Sequence, residues 1–418
     1  MAKIKKSRFI YNSKTMIVAI DIGKNKNSAR FRDTDGNDSR PFEFSNGRAG
    51  FDKFLGMIHW YKARYDAKRV VVGFESTGSY GIPLAHFLDR HNITTYMVNP
   101  VHTKRVKEIR DNSPGKTDQK DPSVIADIMQ LGCTLSVIIP KGTAAVLRNL
   151  VQARERANEM KNSCHNKMQE LIFQIFPEFH LHIKNLLSKT ARYLLEHHTL
   201  PEQLAQLTID ELSTILRKVS RGRFSTEKAS ELLDAARNHG GIFEGSSIIA
   251  LEIRQLIQSI NNIQDFIDDL EAQIKDTLKT VPSSKPILSL KGIGAVTTAT
   301  ILGETAAFDG FTNAAEVEKL AGLNLFEISS GKHKGQVRIS KRGRSLLRKA
   351  LYFAALNVVK KQGAYHDKYQ DYLKRGMLKN KALIAIARKL VRVIFAMVRD
   401  NTEFDSNYET TQACKKAA

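Results

Sequence analysis

Apolar residues run without interruption from Met16 to Ile20 and again from Val70 to Val72. Runs of this kind read as short strands covered on both faces. Each strand ends in a carboxylate, Asp21 after the first and Glu75 after the second. Gly23 leaves the backbone room beside Asp21. Between the two runs, Arg30-Phe31-Arg32 and Arg40 to Phe44 alternate apolar and polar positions. Asp35-Gly36-Asn37 supplies turn chemistry between them, so an antiparallel meander should follow the first strand. Helices are expected over 51–65, with Phe51, Phe54, Leu55 and Ile58 on one face, and over 84–90. A strand is expected over 94–98. Pro100 then opens a basic helix, and Pro122 suits the first turn of another that runs through Asp127 to Leu131. Strand and helix thus alternate over 1–142, an α/β pattern.

The pattern turns helical at residue 143. Leu150, Ala153, Ala157, Met160 and Cys164 step by three and four. Shorter helical segments follow over 181–236. Ile249, Ile253, Leu256, Ile260, Ile263, Ile267, Leu270 and Ile274 then alternate steps of four and three without a break. That is a coiled-coil seam. It fits a long antiparallel pair, an intersubunit coil, or one helix of a monomeric bundle. If the two long helices form one hairpin, the region between them is inserted at its tip. Pro282 and Pro286 open a new unit. There Ile287 to Gly294 and the small-residue helix from Ala295 to Glu304 read as a helix-hairpin-helix. Gly292 and Gly294 would leave backbone amides open to a phosphate, unless the turn is only a tight connection. Helices over 351–359 and 382–398 complete a mainly α region. The expected division is 1–142, a helical coiled-coil region with an insertion over 143–281, a C-terminal domain over 282–403, and a polar tail over 404–418.

Charge changes this picture from a scaffold to a partner. Against 43 Asp+Glu stand 65 Lys+Arg, a net +22. So large an excess calls for a polyanion, and nucleic acid is the natural one. A membrane surface fits less well, because no amphipathic stretch sets its basic residues beside an aromatic insertion face. No apolar run approaches the roughly 18 residues that a spanning helix needs. The N-terminus is basic but lacks the apolar core of a signal peptide. Cys133, Cys164 and Cys414 are scattered and form neither a disulfide framework nor a zinc site, which points to a reducing cytoplasm. The candidate nucleic-acid contacts are Lys104, Arg105, Lys107 and Arg110 on the basic helix, with Lys116 and Lys120 after it. In the C-terminal region they are Lys332, Lys334, Arg338, Lys341, Arg342, Arg344 and Arg348, beside the Gly292–Gly294 turn.

Two stretches carry chemistry. Asp21 and Glu75 end buried strands, and Asp118 and Asp121 lie around a helix start, three residues apart. Four carboxylates gathered without a cation would repel one another. Hard oxygen donors suit Mg²⁺, with Mn²⁺ as a substitute, and a two-metal site can activate an attacking oxygen and stabilise a leaving one. Asp127 lies further along the helix and reads as a solvated residue. Asp33, Asp35 and Asp38 read as turn residues. The second stretch is Ser329-Ser330-Gly331, in a loop dense in Lys and Arg. Either its hydroxyl is a nucleophile whose alkoxide the cations stabilise, or its serines only hold phosphate.

AIDIGK, GFESTGSYG (Gly73 to Gly81), NPVHTKRVKEIRDNSPGKTDQKDPSVIADI (Asn99 to Ile128) and the C-terminal KGIG…AGLNLFEISSGKHKGQVRISKRGRSLLRKALY together resemble the DEDD insertion-sequence transposases, which include the Piv DNA invertases. The resemblance implies a RuvC-type, RNase H-like N-terminal domain whose acids are Asp21, Glu75, Asp118 and Asp121. It implies a serine nucleophile at Ser330, with Ser329 the one-residue alternative. It also implies recombination through a covalent phosphoserine, a structured noncoding bridge RNA as guide in several members, and tetramers with composite active sites. Pro122 departs from the alanine usual after the last aspartate, yet suits a helix start. The expectation is a Mg²⁺-dependent transposase or site-specific recombinase of an insertion sequence. It would act in a prokaryotic cytoplasm on double-stranded element and target DNA, with a guide RNA, as a dimer to tetramer. A RuvC-like junction resolvase or nuclease using water is the alternative. An actin-like ATPase is disfavoured, because no second Asp-x-Gly strand end is present.

Overall fold

A computed structural model describes residues 14–75, 78–111, 121–327, 335 and 337–406, with the backbone alone for 109–111, 121, 135 and 136. The chain divides into two compact units at Ile139 and Pro140.

The first unit is built on a six-stranded mixed sheet. Its strands are β1 (Thr15–Asp21), β2 (Lys26–Arg32), β3 (Phe42–Ser45), β4 (Arg69–Glu75), β5 (Thr94–Val98) and β6 (Thr134–Ser136). Their order is β3-β2-β1-β4-β5-β6. β1, β2 and β3 form the antiparallel meander, while β4 and β5 run parallel to β1. Parallel pairing needs crossovers, and these are the helices α1 (Arg48–Arg64) and α2 (Ile82–Arg90). β6 pairs antiparallel with β5 and was not expected from the pattern. After β5 come α3 (Pro100–Asp111) and α4 (Asp121–Gln130).

The continuous apolar run of β1 is explained by two cores, one on each face. Met16, Val18 and Ile20 pack with Phe31, Phe54, Phe74 and Leu84. Ile17 and Ala19 pack with Val71, Val124, Ile125, Ile128 and Met129, so α4 covers this second face. Gly73 makes that cover possible, because a Cβ on it would overlap the Met129 thioether.

In the second unit, α5 (Gly142–Ile175) and α11 (Ser246–Lys279) pack along each other as an antiparallel hairpin. Arg154 pairs with Glu271 at 2.7 Å and Lys161 with Gln264 at 2.8 Å, which sets the register. α6 (Phe179–His182), α7 (Lys189–His197), α8 (Pro201–Ala205), α9 (Ile209–Ser220) and α10 (Thr226–Arg237) form the insertion. Its entry and exit meet where Ile242 N donates to Gln174 O at 2.9 Å. The insertion and the hairpin tip share one core, from Met168 and Phe176 through Leu194, Leu212 and Leu232 to Ile253, Ile257 and Ile260. Here α11 buries Ile257 where the seam placed Leu256, because it faces insertion helices as well as α5. Midway along, the hairpin has only two helices to cover it, and Met160, expected on the seam, is 59% exposed. Segment 177–245 carries as many acidic as basic residues, so the excess positive charge lies elsewhere.

The hairpin base shares a second core with the C-terminal helices. These are α12 (Ser284–Ser289), α13 (Ala295–Glu304), a 3₁₀ turn (Ala306–Phe308), α14 (Ala314–Leu320), α15 (Ser345–Val358), α16 (His366–Lys374) and α17 (Lys379–Asp400). A two-stranded ribbon, β7 (Leu325–Glu327) and β8 (Val337–Ile339), lies between α14 and α15. α13 approaches α5 closely: a Cβ on Gly303 would lie 2.7 Å from Arg148 N. Beside it Glu304, 2% exposed, receives Arg344 at 3.2 Å, Arg148 at 3.7 Å and Gln152 at 3.1 Å. The Arg344 guanidinium also donates to the Glu304 carbonyl. Burial and then the Arg148 charge lower the Arg344 pKa to about 10, with Glu304 opposing both. No helix among the described residues is long and apolar enough to cross a membrane.

Gly73→Ala should destabilise the protein by about 1–3 kcal/mol through overpacking, and Met129→Ala by about 2–5 kcal/mol through a cavity. Denaturant unfolding of both and of the double variant should give a combined loss smaller than the sum, since each change relieves the other. Glu304→Gln leaves two half-buried guanidinium groups without their counter-charge and should cost about 3–5 kcal/mol, read as a lowered melting temperature.

Candidate functional site: the acidic sheet edge and the serine ribbon

Ile20 lies opposite Phe74 in the parallel β1–β4 ladder. The next residues, Asp21 and Glu75, therefore sit side by side at the same end of neighbouring strands, which are spaced about 4.8 Å apart. Side chains alternate along a strand. Ile17 and Ala19 on β1, and Val71 and Gly73 on β4, face α4. Alternation carries Asp21 and Glu75 to that same face, and both are half-buried. α4 begins at Asp121, whose side chain lies outside the described residues, as does the whole of Asp118. The structure thus brings two of the four expected acids together and places the helix that opens with a third over their sheet face. Among the described residues no group of three or more His, Cys, Asp or Glu side chains is arranged to hold a metal ion.

Two asparagines that the sequence pattern did not single out hold the strand ends. Asn27, buried in β2, accepts from Gly23 N through Oδ1 at 3.2 Å. Asn46 donates from Nδ2 to Gly23 O at 3.0 Å and to Tyr80 O at 3.2 Å. It so ties the loop after Asp21 to the loop after Glu75. Gly23 is required for a physical reason, since a Cβ there would overlap the Lys26 carbonyl oxygen. The only local signal was an asparagine beside turn residues, which is too common to assign.

Asp127 corrects the expectation of a solvated helix residue. Its Oδ1 accepts from Arg32 Nη1 at 2.8 Å. Arg32, 4% exposed, also donates from Nε and Nη2 to the two carboxylate oxygens of Asp38, at 2.6 and 2.9 Å, and from Nη1 to Gln130 at 3.0 Å. Burial pushes the Asp38 carboxyl up, but hydrogen bonds from Arg32 and Ser123 outweigh it and hold the group below the usual carboxylate range. Asp38, expected to be a plain turn residue, is thus half of a buried ion pair.

The basic helix is α3, where Lys104 and Arg105 are exposed and Lys107 is half-buried. Arg110 is placed by its backbone alone, and Lys116 and Lys120 lie outside the described residues. In the C-terminal region Ser329, Ser330, Gly331, Lys332 and Lys334 also lie outside them. What the structure describes is their frame. The strands on either side, β7 and β8, pair antiparallel, with Glu327 opposite Val337. The serine segment, read as part of a simple loop, therefore joins the two arms of a ribbon. Arg338, Lys341 and Arg342 are exposed. Arg344 turns inward to Glu304, and Arg348 donates from Nη1 to Ala321 O at 2.9 Å and to Lys341 O at 3.2 Å. These two arginines brace the ribbon's exit. The Gly292 turn has φ of 102°, in the region that favours glycine, and Lys291, Gly292 and Gly294 are exposed ahead of α13.

Comparison with known proteins follows this division. A family model described as a DEDD transposase of the IS110 type matches residues 18–177, which include all four acids. A second, described as the transposase IS116/IS110/IS902 family, matches residues 284–370, which include the glycine turn and the ribbon. The uncharacterized 44.8 kDa protein of insertion element IS116 from Streptomyces clavuligerus is 25% identical over 398 residues, 94% of this chain and 97% of that protein. The uncharacterized 43.6 kDa protein of insertion element IS110 from Streptomyces coelicolor is 27% identical over 306 residues, 72% of this chain and 75% of that one. The pilin gene-inverting protein of Moraxella bovis is 31% identical over 157 residues, 35% of this chain and 48% of its own length. With transposase models matching at both ends and a relative aligned over nearly its whole length, the chain belongs to the IS110 family of transposases.

Proposed function

We propose that this protein is the DNA recombinase of an insertion sequence, in which acids of the N-terminal unit hold a divalent cation and a serine of the C-terminal unit attacks a DNA phosphodiester. The observation that carries the reading is the pairing of Asp21 with Glu75 on one sheet face at the ends of adjacent parallel strands. An antiparallel meander followed by parallel strands on the far side of β1 supports an RNase H-like assignment for this unit. Carboxylates are hard donors, so Asp21, Glu75, Asp118 and Asp121 suit Mg²⁺ or Mn²⁺. Bound there, the cation would offset the charge that develops on the phosphate and leaving oxygen.

The protein's own groups do the rest. Ser330 Oγ, or Ser329 Oγ in its place, attacks phosphorus. One P–O bond to serine forms as the P–O bond to one deoxyribose breaks. The serine proton passes to solvent and the released deoxyribose oxygen takes one up. Attack by a hydroxyl of a second DNA end on the phosphoserine then restores a DNA phosphodiester and frees the serine. The exposed Arg338, Lys341 and Arg342 would hold the phosphates near the serine, with Lys332 and Lys334. Lys104 and Arg105 on α3 and the Gly292–Gly294 turn would grip the backbone without reading sequence. The α5–α11 hairpin would serve as a coiled coil that helps subunits assemble, and a structured noncoding RNA would supply target choice.

Incubating the protein with Mg²⁺ and end-labelled DNA carrying the element's ends, with its copurified RNA, should trap a protein–DNA adduct that survives denaturation. Ser330→Ala should abolish the adduct, and Asp21→Asn should abolish both adduct and cleavage. Cleavage that persists in Ser330→Ala and Ser329→Ala without any adduct would establish water as the nucleophile instead. Replacing Lys104 and Arg105 together by alanine should weaken DNA binding on all sequences alike and reduce the slope of log K against log salt by about two. Equilibrium binding at several salt concentrations measures this.

A further inference from the structure

Arg32 is the most completely engaged cation of the N-terminal unit among the described residues, and the reaction proposed above makes no use of it. Its guanidinium is shared between two elements. On one side is Asp38, bound through both oxygens. On the other is α4, reached through Asp127 Oδ1 and Gln130 Oε1, with Ser123 O at 3.5 Å from Nη2. The segment that carries Asp38 is itself held, because Asp33 Oδ1 accepts from Asp35 N at 2.9 Å and Asn37 N at 2.8 Å. Asp38 also bridges to the Arg32 backbone. A chain of directional bonds thus runs from a fixed turn, through Arg32, to two side chains one turn apart on α4.

The apolar contacts of α4 cannot do the same job. Val124, Ile125, Ile128 and Met129 hold the helix to the sheet. Dispersion and burial are non-directional, and a helix can slide or roll on such a surface at small cost. A planar guanidinium with fixed donor directions defines position along and around the helix. Burying the ion pair is also costly, and an apolar side chain of similar volume would serve stability as well or better. The geometry points to a role in placement.

We infer that Arg32, through Asp38 and Asp127, is a positioning residue for the acidic site: it sets where α4, the helix that begins at Asp121, lies over the face that carries Asp21 and Glu75. The inference rests on the metal-holding role proposed for those acids.

The test uses the full-length protein with Mn²⁺ alone as the probe, its free ion followed by electron paramagnetic resonance. Arg32→Met removes the bonds and keeps the volume. Asp127→Asn removes only the charge on α4, so it serves where Arg32→Met fails to fold. Both variants should keep cooperative unfolding yet bind Mn²⁺ about tenfold more weakly, the size of effect seen when the supports of metal ligands are removed. Amide hydrogen exchange over 124–130 should quicken in both while exchange in β1 and β4 stays unchanged. Arg32→Lys should recover part of both effects. Wild-type Mn²⁺ affinity together with unchanged exchange over 124–130 would overturn the inference, as would a loss of affinity that only tracks global unfolding. Asp21→Asn is the control. If it retains wild-type Mn²⁺ binding, the metal-holding reading fails, while the exchange measurement still decides whether Arg32 fixes α4.

Discussion

Parallel strands can pair only if the chain between them leaves the sheet and returns, and the pairing of β1 with β4 is the constraint on which the N-terminal unit depends. The meander β2–β3 and helix α1 are that excursion. Once Ile20 is opposite Phe74, the acids that follow are neighbours with no freedom to be otherwise. The same pairing buries β1 on both faces, so each face needs its own cover. α4 provides one of them. A one-residue slip would send Asp21 to the opposite face from Glu75 and set Gly73 out of step with Met129. Site and core are therefore specified by one register.

Each unit joins its elements through an uneven number of buried charges, with opposite bias. In the N-terminal unit one guanidinium, Arg32, serves two carboxylates, Asp38 and Asp127. In the C-terminal unit one carboxylate serves two guanidinium groups: Glu304 takes Arg148 and Arg344, and Glu318 takes Arg388 and Arg392. The first arrangement sits on the sheet that carries the acidic edge, the second beside the basic ribbon. In the C-terminal unit the surplus positive charge adds to the field around the ribbon, where a polyanion would lower its cost. The insertion on the hairpin tip balances its charges and lies outside both family models, which sets it apart from the two regions that carry the chemistry.

Much of the fold was legible along the chain, because it follows from short-range pattern. The bounds of β4 and β5 match the apolar runs at 69–75 and 94–98, and the antiparallel meander follows from the turn at Asp35-Gly36-Asn37. The step of three and four in α11 marks the face that meets α5. What the pattern could not say was whether that face met the same chain or another. Its answer came from two long-range pairs, Arg154 with Glu271 and Lys161 with Gln264, more than a hundred positions apart. The exposed Met160 shows the limit from the other side: periodicity reports which face a residue is on, while burial also needs a neighbour of sufficient width.

For the site, residue type and strand end sufficed to single out Asp21 and Glu75. An acid that follows a buried strand is unusual enough to stand out without any partner in view. Asp127, Asp38, Asn27 and Asn46 did not stand out, because their importance lies in what they touch. Asp127 meets a guanidinium 95 positions away, and Asn46 joins two loops through backbone carbonyls that any sequence has. Arg344 shows the same division for the basic region. Counted along the chain it is one more cation for phosphate, but the close approach of α13 to α5 at Gly303 places Glu304 where it draws that arginine inward. Chain order decides which groups exist and at what spacing. Only the packed chain decides which charges face solvent and which are spent on one another, since that depends on distances between residues far apart in sequence.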